Sequence, residues 1–221
     1  MQNLILRVLS SLILVSAFLV PLIFKTTGYA LIILIAFGML FEWFTMTHNS
    51  YIVTGAIVAL LPLSGLLLII YFTSSLIFLA YFCLLWSVDV FAFIGGKIFK
   101  GPKLAPKISP NKTWSGLICG ALGCCTTLYL MLHTHIDLFK IKSIWLNVNS
   151  FSMYEAVIGI TFALLAQTGD LFISYYKRKF GVKHTGNFIP GHGGVLDRFD
   201  GTIFTAPFAL FILYLVCLSS K

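Results

Sequence analysis

Residues 174–200 read SYYKRKFGVKHTGNFIPGHGGVLDRFD and lie between two hydrophobic segments. The stretch places several cations beside a Pro-Gly-His-Gly-Gly turn and beside two carboxylates, Asp197 and Asp200. Glycines let backbone N–H groups approach an oxyanion closely, and lysine and arginine are common ligands of phosphate. The stretch therefore predicts a loop that binds phosphate groups.

The composition of the chain is that of a membrane protein. It has 221 residues, of which 59% are hydrophobic and 10% are charged, and its mean hydropathy is +0.97. A soluble domain contains about 25% charged residues, and a core of this size cannot bury so many apolar side chains. Long unbroken apolar runs also exclude a transmembrane β-barrel. The sequence therefore predicts an all-α, polytopic integral membrane protein.

Seven apolar segments predict membrane-spanning helices, since about 20 apolar residues cross the core of a bilayer. They cover residues 4–24, 29–46, 51–72, 75–94, 115–132, 153–176 and 202–218. The first segment lacks a clear cleavage site and is expected to remain as a helix. We expect one membrane-embedded domain over residues 1–221, with N-terminal helices in 1–94 and the loops and helices that carry the chemistry in 95–221.

Two loops hold most of the positive charge. Ten of the fifteen Lys and Arg residues lie in 97–112 and 177–198. With seven helices both loops share one face, and the excess of Lys and Arg predicts that this face is cytoplasmic. We therefore expect a multi-pass protein of the cell (inner) membrane with its active-site loops on the cytoplasmic side. An anionic ligand would attract the same cations, and charge alone leaves both explanations open.

Ionisable residues inside a membrane are unfavourable and are candidates for function. Asp89 and Asp170 each lie just before a basic loop, so both are candidate site residues. Glu42 lies near the inner end of the second segment. We predict that it can pair with Arg7 of the first segment, and a structural acid that reaches the membrane surface is the alternative.

The segment 153–176 carries polar residues at a spacing of three to four, which places them on one face of a helix. They are Gln167, Asp170, Ser174 and Lys177 or Arg178. A polar face at this depth is expected to line a site or a cavity. The segment 115–132 has three glycines on one face, Gly116, Gly120 and Gly123. They favour close packing of helices.

The first basic loop reads GGKIFKGPKLAPKISPNKTWSG over residues 95–116. Its glycines, prolines and irregularly spaced lysines exclude an amphipathic helix. Candidate ligands of an anion come shortly before the next helix, and they are Lys107, Ser109, Lys112 and Thr113. A helix N-terminus favours anions through its free N–H groups and its dipole. The GxxxxGK[ST] pattern of a Walker loop is absent.

The second basic loop combines a histidine, glycines and carboxylates. His192 stands among Gly191, Gly193 and Gly194. The histidine could bind phosphate or move a proton. The two aspartates could hold Mg²⁺ together with substrate phosphates, and Arg198 between them could neutralise phosphoryl charge. The combination fits phosphoryl or nucleotidyl transfer; the alternative is that these acids and bases only pair with one another at the membrane surface.

These residues resemble the signature of the CDP-diacylglycerol synthases, or phosphatidate cytidylyltransferases, S-x-x-K-R-x-x-x-x-K-D-x-x-x-x-x-P-G-H-G-G-x-x-D-R-x-D. The matching positions are Ser174, Lys177, Arg178, Lys183, Pro190, Gly191, His192, Gly193, Gly194, Asp197, Arg198 and Asp200. The first loop is similar to the family over 103–107 and 109–114, and the resemblance covers most of the chain. The main departure is His184, which stands where the family has an aspartate implicated in metal binding.

The resemblance implies transfer of a cytidylyl group from CTP to phosphatidic acid, with Mg²⁺ and room for a second cation. The implied metal ligands are Asp170, Asp197 and Asp200, with Asp89 assisting. The implied catalytic groups are Lys183, His192, Arg198 and Asp197. The implied substrate-binding groups are Lys107, Ser109, Lys112, Thr113, Ser174, Lys177, Arg178, Gly191, Gly193 and Gly194. Expected partners are CTP, phosphatidic acid and the lipid bilayer, without nucleic acid, and a homodimer is left open.

Three other functions remain as alternatives. A CTP-dependent lipid kinase acting on a polyprenol would need a base for a neutral hydroxyl and would release CDP rather than pyrophosphate. A transporter or channel for an anionic substrate would show no dependence on CTP. A degenerate, inactive paralogue is suggested by His184 alone.

Overall fold

The computed structural model describes residues 16, 18–133, 153–189 and 193–219, and most of them are helical. The helices in chain order are α1 (residues 18–23), α2 (Lys25–Thr47), α3 (Ile52–Phe72), α4 (Ser75–Phe99), α5 (Trp114–His133), α6 (Met153–Lys179), α7 (Leu196–Phe199) and α8 (Thr202–Ser219). Two short strands, β1 (Lys103–Ala105) and β2 (Ser109–Thr113), form a hairpin between α4 and α5.

The five helices from α2 to α6 are each long and apolar enough to cross a membrane. The apolar part of α8, Thr202–Leu218, is shorter. The predicted class, an all-α polytopic membrane protein, is confirmed. The count of seven spans stays a prediction, because most of the first predicted segment, residues 4–24, lies outside the described residues.

Two helices extend well beyond the segments that hydropathy predicted. α2 begins at Lys25 rather than at residue 29, and the Lys25 ammonium donates to the carbonyl oxygens of Tyr71 and Thr73 at 3.1 and 3.0 Å. α4 continues through two glycines to Phe99, although we expected the first basic loop to begin at those glycines. In both cases tertiary contacts hold polar or glycine residues in a helix, and hydropathy does not register such contacts.

The first basic loop, expected to be irregular, contains an antiparallel hairpin. β1 and β2 pair Lys103 with Thr113 at its base. The Trp114 N–H donates to the carbonyl oxygen of Pro102 at 3.1 Å and closes the hairpin against the start of α5. Prolines are tolerated here because both strands of a two-stranded sheet are edge strands. The hairpin therefore brings the end of β2 directly to the first turn of α5.

α4 and α5 pack closely because glycines line their contact. A Cβ atom at Gly116 would lie 2.8 Å from the carbonyl oxygen of Ala92, and one at Gly120 would lie 3.0 Å from that of Val88. Gly123, one turn further along, meets an α4 side chain in the same way. The three glycines thus share the face that their spacing predicted. Their close packing brings the inner half of α4 near the hairpin.

The two basic loops lie at the same end of the helix bundle. Arg178 Nε on α6 donates to the carbonyl oxygen of Ile108 at 3.1 Å, which joins the last turns of α6 to the hairpin. Lys179 Nζ donates to the Tyr51 hydroxyl at 2.6 Å, which joins the same turns to the connection between α2 and α3. Residues separated by 70 and 128 positions in the sequence therefore meet at one face of the bundle.

Candidate active site

A cavity of about 440 Å³ opens at this end between α4, the hairpin, α5 and α6. Its lining includes the acids of two apolar helices and the polar groups of the hairpin. Among them are Asp89, Ser109, Lys112, Thr113, Gln167 and Asp170. The structure thus brings together, around one cavity, five residues that were predicted separately as metal or substrate ligands.

Lys112 joins the hairpin to α6. Its ammonium lies 2.5 Å from Asp170 Oδ2 and donates to Gln167 Oε1 at 2.7 Å. Ser174, one turn further along α6, donates to Asp170 Oδ1 at 3.1 Å. Gln167, Asp170 and Ser174 therefore lie on one face of α6, as their spacing predicts, and this face meets the cation of the first loop.

Thr113 sets the position of Lys112. It is 6% exposed, and its hydroxyl oxygen accepts from the Gly116 N–H at 3.1 Å. A threonine oxygen that accepts from the N–H group three residues later is a typical cap of a helix N-terminus. The cap fixes where β2 ends and α5 begins, so the preceding lysine is held facing α6.

Asp197, predicted to bind metal, lies among donors of its own loop. Its Oδ1 accepts from Lys177 Nζ at 2.8 Å, and its Oδ2 accepts from the N–H groups of Thr185 and Gly194 at 3.0 and 3.2 Å. Burial alone would raise the pKa of Asp197, but the Lys177 ammonium and the two N–H groups outweigh it and hold the pKa below its usual range. Asp197 therefore stabilises the second basic loop, and the Lys177 ammonium is held next to it.

Asp200 lies between α7 and α8 and packs beside α6. A Cβ atom at Gly169 would overlap the carbonyl oxygen of Asp200, so a glycine at this position lets the two segments approach. Poor solvation, followed by the negative charge of Asp170 and also that of Asp89, raises the pKa of Asp200 well above its usual range. The negative charges of Asp170 and Asp89, on two other elements, therefore disfavour ionisation of Asp200.

The fit of this region to a divalent cation follows from its donors. The described residues contain no group of three or more His, Cys, Asp or Glu side chains arranged to hold a metal ion by themselves. Mg²⁺ usually binds through one or two carboxylates together with substrate phosphates and water. A cation that arrives with a phosphate would relieve the repulsion among Asp89, Asp170 and Asp200. Asp197 is less suited, because its side chain is only 6% exposed and accepts three hydrogen bonds, whereas that of Asp170 is 34% exposed and lines the cavity.

Glu42 of α2 is 1% exposed and contacts the second basic loop. Its Oε1 accepts from the Val195 N–H at 2.9 Å, and its Oε2 accepts from the Leu196 N–H at 2.8 Å and from the Thr185 hydroxyl at 2.9 Å. The alternative of an acid that reaches the membrane surface is therefore wrong, because donors for both oxygens lie inside the protein. The predicted pair with Arg7 lies outside the described residues.

The remaining predicted residues of the two loops differ in their surroundings. Lys107, Lys183 and Arg198 are exposed at this end of the bundle. The guanidinium of Arg178 is directed to the hairpin backbone. His184, which stands where the resemblance implies an aspartate, has its Nδ1 3.6 Å from Asp197 Oδ2. A histidine therefore stands beside Asp197 where the resemblance predicts a second acid.

The glycine-rich turn is described only in part. Gly191 and His192 lie outside the described residues. Gly193 has a φ of 88°, a left-handed conformation that favours glycine. Gly194 is buried against Glu42, where a Cβ atom would overlap the carboxylate. The part of the turn that is described thus requires glycine at both positions, one for its backbone conformation and one for its close approach to α2.

Sequence reasoning missed some residues of the site. Lys97 lines the cavity, and its spacing of eight from Asp89 would have placed the two on one face if α4 had been extended past residue 94. The contact between Glu42 and Thr185 had no local signal, because 143 positions separate the two residues. The intramembrane position of Glu42 hinted that its carboxylate has partners inside the protein, but it did not indicate which residues they are.

Comparison with known proteins places the chain in a family. A sequence model described as the cytidylyltransferase family matches residues 71–216. A phosphatidate cytidylyltransferase of Rickettsia bellii is 50% identical over 97% of this chain and 93% of the relative, and one of Rickettsia felis is 49% identical over 96% and 92%. One of Brucella melitensis is 40% identical over 60% of this chain and 44% of the relative. The chain therefore belongs to the cytidylyltransferase family.

Proposed function

We propose that the chain is a phosphatidate cytidylyltransferase, which transfers a cytidylyl group from CTP to phosphatidic acid in phospholipid biosynthesis. The observation that carries the proposal is the ion pair between Lys112 and Asp170, because it joins the first basic loop to the helix that leads into the second. Two cation-rich loops at one end of a membrane bundle provide a site for a polyphosphate next to a lipid phosphate. The activity named for the rickettsial relatives supports the same reaction.

Lys112 and Lys177 bind the phosphates of CTP and of the lipid in this proposal. Their side chains are 17% and 12% exposed, and each pairs with a carboxylate, Asp170 or Asp197. These pairs hold the two ammonium groups in fixed positions before substrate binds. A lysine ammonium is a compact charge suited to phosphate. The further ligands proposed for substrate are Lys107, Ser109, Thr113, Ser174 and Arg178.

The reaction forms one phosphorus–oxygen bond and breaks another. An oxygen of the phosphatidate phosphate attacks the α-phosphorus of CTP, and the bond from that phosphorus to the oxygen bridging the β-phosphate breaks. The products are CDP-diacylglycerol and pyrophosphate. The lipid phosphate is already ionised at neutral pH, because the second pKa of a phosphomonoester is about 6. The site therefore needs positioned cations rather than a strong general base.

The second basic loop holds the triphosphate in the proposed reaction. His192 with Gly191, Gly193 and Gly194 binds the triphosphate of CTP or the leaving pyrophosphate. Lys183 and Arg198, both exposed at the site, neutralise the phosphoryl charge that develops during transfer. Backbone N–H groups of a glycine turn approach phosphate oxygens closely.

Mg²⁺ is the proposed cofactor, and Asp170 and Asp200 with Asp89 are the residues that would hold it. A bound Mg²⁺ supplies a positive charge that offsets the negative charge of the phosphates during transfer. A second cation beside the Mg²⁺ is part of the same proposal. Removal of divalent cations by a chelator is expected to abolish turnover, and added Mg²⁺ is expected to restore it.

The proposed location is the inner membrane, with both basic loops on the cytoplasmic side, where CTP is present. The excess of Lys and Arg in these loops supports this orientation. The reaction needs no nucleic acid. A homodimer stays a prediction, which the molecular mass of the detergent-solubilised protein would test.

The experiment is an assay of the purified protein in detergent with labelled CTP, phosphatidic acid and Mg²⁺. We expect labelled CDP-diacylglycerol and pyrophosphate, and we expect Asp200→Ala to abolish both while Thr168→Ala, an exposed change on α6, leaves them unaltered. Release of CDP with phosphorylation of a polyprenol would establish a lipid kinase instead. An anion flux that is independent of CTP would establish a transporter.

A further inference from the structure

Glu42 lies outside the segment that the family model matches, residues 71–216, yet it is among the most deeply buried residues of the site. Its two carboxylate oxygens accept three hydrogen bonds at 2.8 to 2.9 Å, all from the second basic loop. Two of the donors are backbone N–H groups, of Val195 and Leu196, and the third is the Thr185 hydroxyl. The carboxylate therefore binds both sides of the segment 185–196, which contains the glycine-rich turn.

The glycines of this loop pack against the same carboxylate. A Cβ atom at Gly186 would lie 2.5 Å from Glu42 Oε1, and one at Gly194 would overlap Oε2. A Cβ atom at Gly38, one turn before Glu42 on α2, would lie 3.2 Å from the Val195 side chain. The loop thus lies directly against the inner end of α2. A side chain in place of any of these glycines would push the loop and the helix apart.

The position of Glu42 is itself fixed by its neighbours on α2. Trp43 is fully buried, and its ring packs on Tyr176 of α6 with centroids 4.7 Å apart. The Trp43 indole N–H donates to the carbonyl oxygen of Tyr51 at 3.3 Å. α2 is therefore attached to the last turns of α6 at the level of Glu42, and the carboxylate is held rigidly beneath the loop.

We propose that Glu42 is a positioning residue for nucleotide binding: its carboxylate holds residues 185–186 and 194–196, on the two sides of the glycine-rich turn, in the positions that binding of the triphosphate of CTP requires. The residue does not touch substrate in this role. It acts through the backbone N–H groups of the loop, which donate to its carboxylate. The role makes α2 part of the active site, although α2 lies outside the matched family segment. The identity of the nucleotide in this proposal rests on the proposed function. The placement of the loop by Glu42 does not rest on it.

The substitution Glu42→Gln separates the carboxylate from the shape of the side chain. In either orientation the glutamine NH₂ group replaces an oxygen that now accepts from a backbone N–H, of Val195 or Leu196, so one buried donor loses its acceptor. Loss of a hydrogen bond to a buried charged group is expected to raise the KM for CTP by about tenfold or more. The KM for phosphatidic acid is expected to stay within about twofold, because the hairpin keeps its contacts with α6.

Hydrogen exchange of the backbone amides in 185–196 gives a readout that needs no turnover. Glu42→Gln is expected to speed exchange in this segment by about tenfold or more, and to leave exchange in the hairpin unchanged. This measurement is valid even if the enzyme acts on another nucleotide. A failure of the positioning role can therefore be distinguished from a failure of the proposed function.

Glu155 offers a matched control. It is 4% exposed, lies at the opposite end of α6 from the site, and its Oε1 lies 2.9 Å from His133 Nε2. Glu155→Gln is expected to lower the unfolding temperature without a change in the KM for CTP.

Thr185 gives a milder variant that keeps the test valid if Glu42→Gln does not fold. Thr185→Val removes the hydroxyl donor and should raise the KM for CTP, whereas Thr185→Ser keeps the hydroxyl and should restore it.

The outcomes separate a positioning role from a structural one. A rise in the KM for CTP together with faster exchange in 185–196, present in Glu42→Gln and Thr185→Val and absent in Glu155→Gln and Thr185→Ser, supports the proposal. A loss of stability in Glu42→Gln equal to that of Glu155→Gln, with an unchanged KM for CTP and unchanged exchange in the loop, would overturn it.

Discussion

The two basic loops are built in different ways. The first contains a hairpin whose strands pair with each other, and several of its lysines, Lys97, Lys100, Lys103 and Lys107, are exposed. The second has little secondary structure of its own, and two carboxylates, Glu42 on α2 and Asp197 within the loop itself, accept hydrogen bonds from its backbone N–H groups. We therefore expect that a side chain of the first loop can be removed without loss of the loop, and that removal of a carboxylate that holds the second loop disrupts it.

Of the changes that compare the two loops, Asp197→Asn is expected to have the largest effect. The change leaves Lys177 without its anionic partner in a site where the Asp197 side chain is only 6% exposed. Breaking a buried ion pair by removing one partner costs about 3–5 kcal/mol, so we expect at least about a 100-fold loss of turnover and a lower unfolding temperature. Thermal unfolding and the CTP assay measure the two effects. An unchanged unfolding temperature would show that the second loop does not depend on this carboxylate.

Lys112→Gln tests the first loop, and it is expected to lower activity while leaving stability almost unchanged. The substitution removes the cation that faces Asp170 but leaves the hairpin pairing and the Thr113 cap in place. We expect kcat/KM to fall about 30- to 100-fold with a change in stability below about 1 kcal/mol, because the pair is partly exposed. Lys103→Gln, an exposed change in β1, is the control and should behave like the parent. A large loss of stability in Lys112→Gln would remove the contrast between the loops.

Gly169→Ala tests how closely α6 must approach Asp200. The new Cβ atom would overlap the Asp200 carbonyl oxygen, so the segment after α7 must move away from Asp170. Overpacking of this kind costs about 1–3 kcal/mol, and we expect about a tenfold loss of turnover. Thr168→Ala, on the exposed side of the same helix turn, is the matched control. Equal activity of the two variants would mean that this close approach does not matter to the site.

The smallest effect is expected from His184→Asp. His184 is about half exposed, and its closest acidic neighbour is Asp197 at 3.6 Å. Residue 184 is exposed, and solvent there weakens the repulsion between a new carboxylate and Asp197, so we expect less than about a threefold change in kcat/KM. The parent protein is expected to be active already. An inactive parent that gains activity only with Asp at position 184 would identify a degenerate paralogue.

The sequence predicted those features of the fold that depend on local periodicity. Hydropathy located α2 to α6, and the three- to four-residue spacing on α6 placed Gln167, Asp170 and Ser174 on the face that meets Lys112. Glycine spacing on α5 likewise predicted the face that packs on α4. Each of these features is set by residues within two or three helical turns of one another.

The sequence could not show contacts between distant segments. Glu42 and the loop it holds are separated by 143 to 154 positions, and nothing in either segment indicates the other. Hydropathy also ended α4 at its glycines, although close packing against α5 keeps them helical. The hydrogen bonds of Asp197 could not be predicted for the same reason, and its role as a metal ligand stays a prediction. Its spacing from Asp200 suggested a metal site, whereas its hydrogen bonds to Lys177 and to two N–H groups depend on the fold of the loop.

Cross-linking in native membranes tests most directly whether the two basic loops form one site. Ile108→Cys in the hairpin and Arg178→Cys at the end of α6 replace residues that are in contact, with Arg178 Nε 3.1 Å from the Ile108 carbonyl oxygen. In a background without native cysteines, a short bifunctional thiol reagent is expected to join this pair and to leave Ile108→Cys with Lys25→Cys, at opposite ends of the bundle, unjoined. Failure to join the first pair, or efficient joining of the second, would contradict a single site built from both loops.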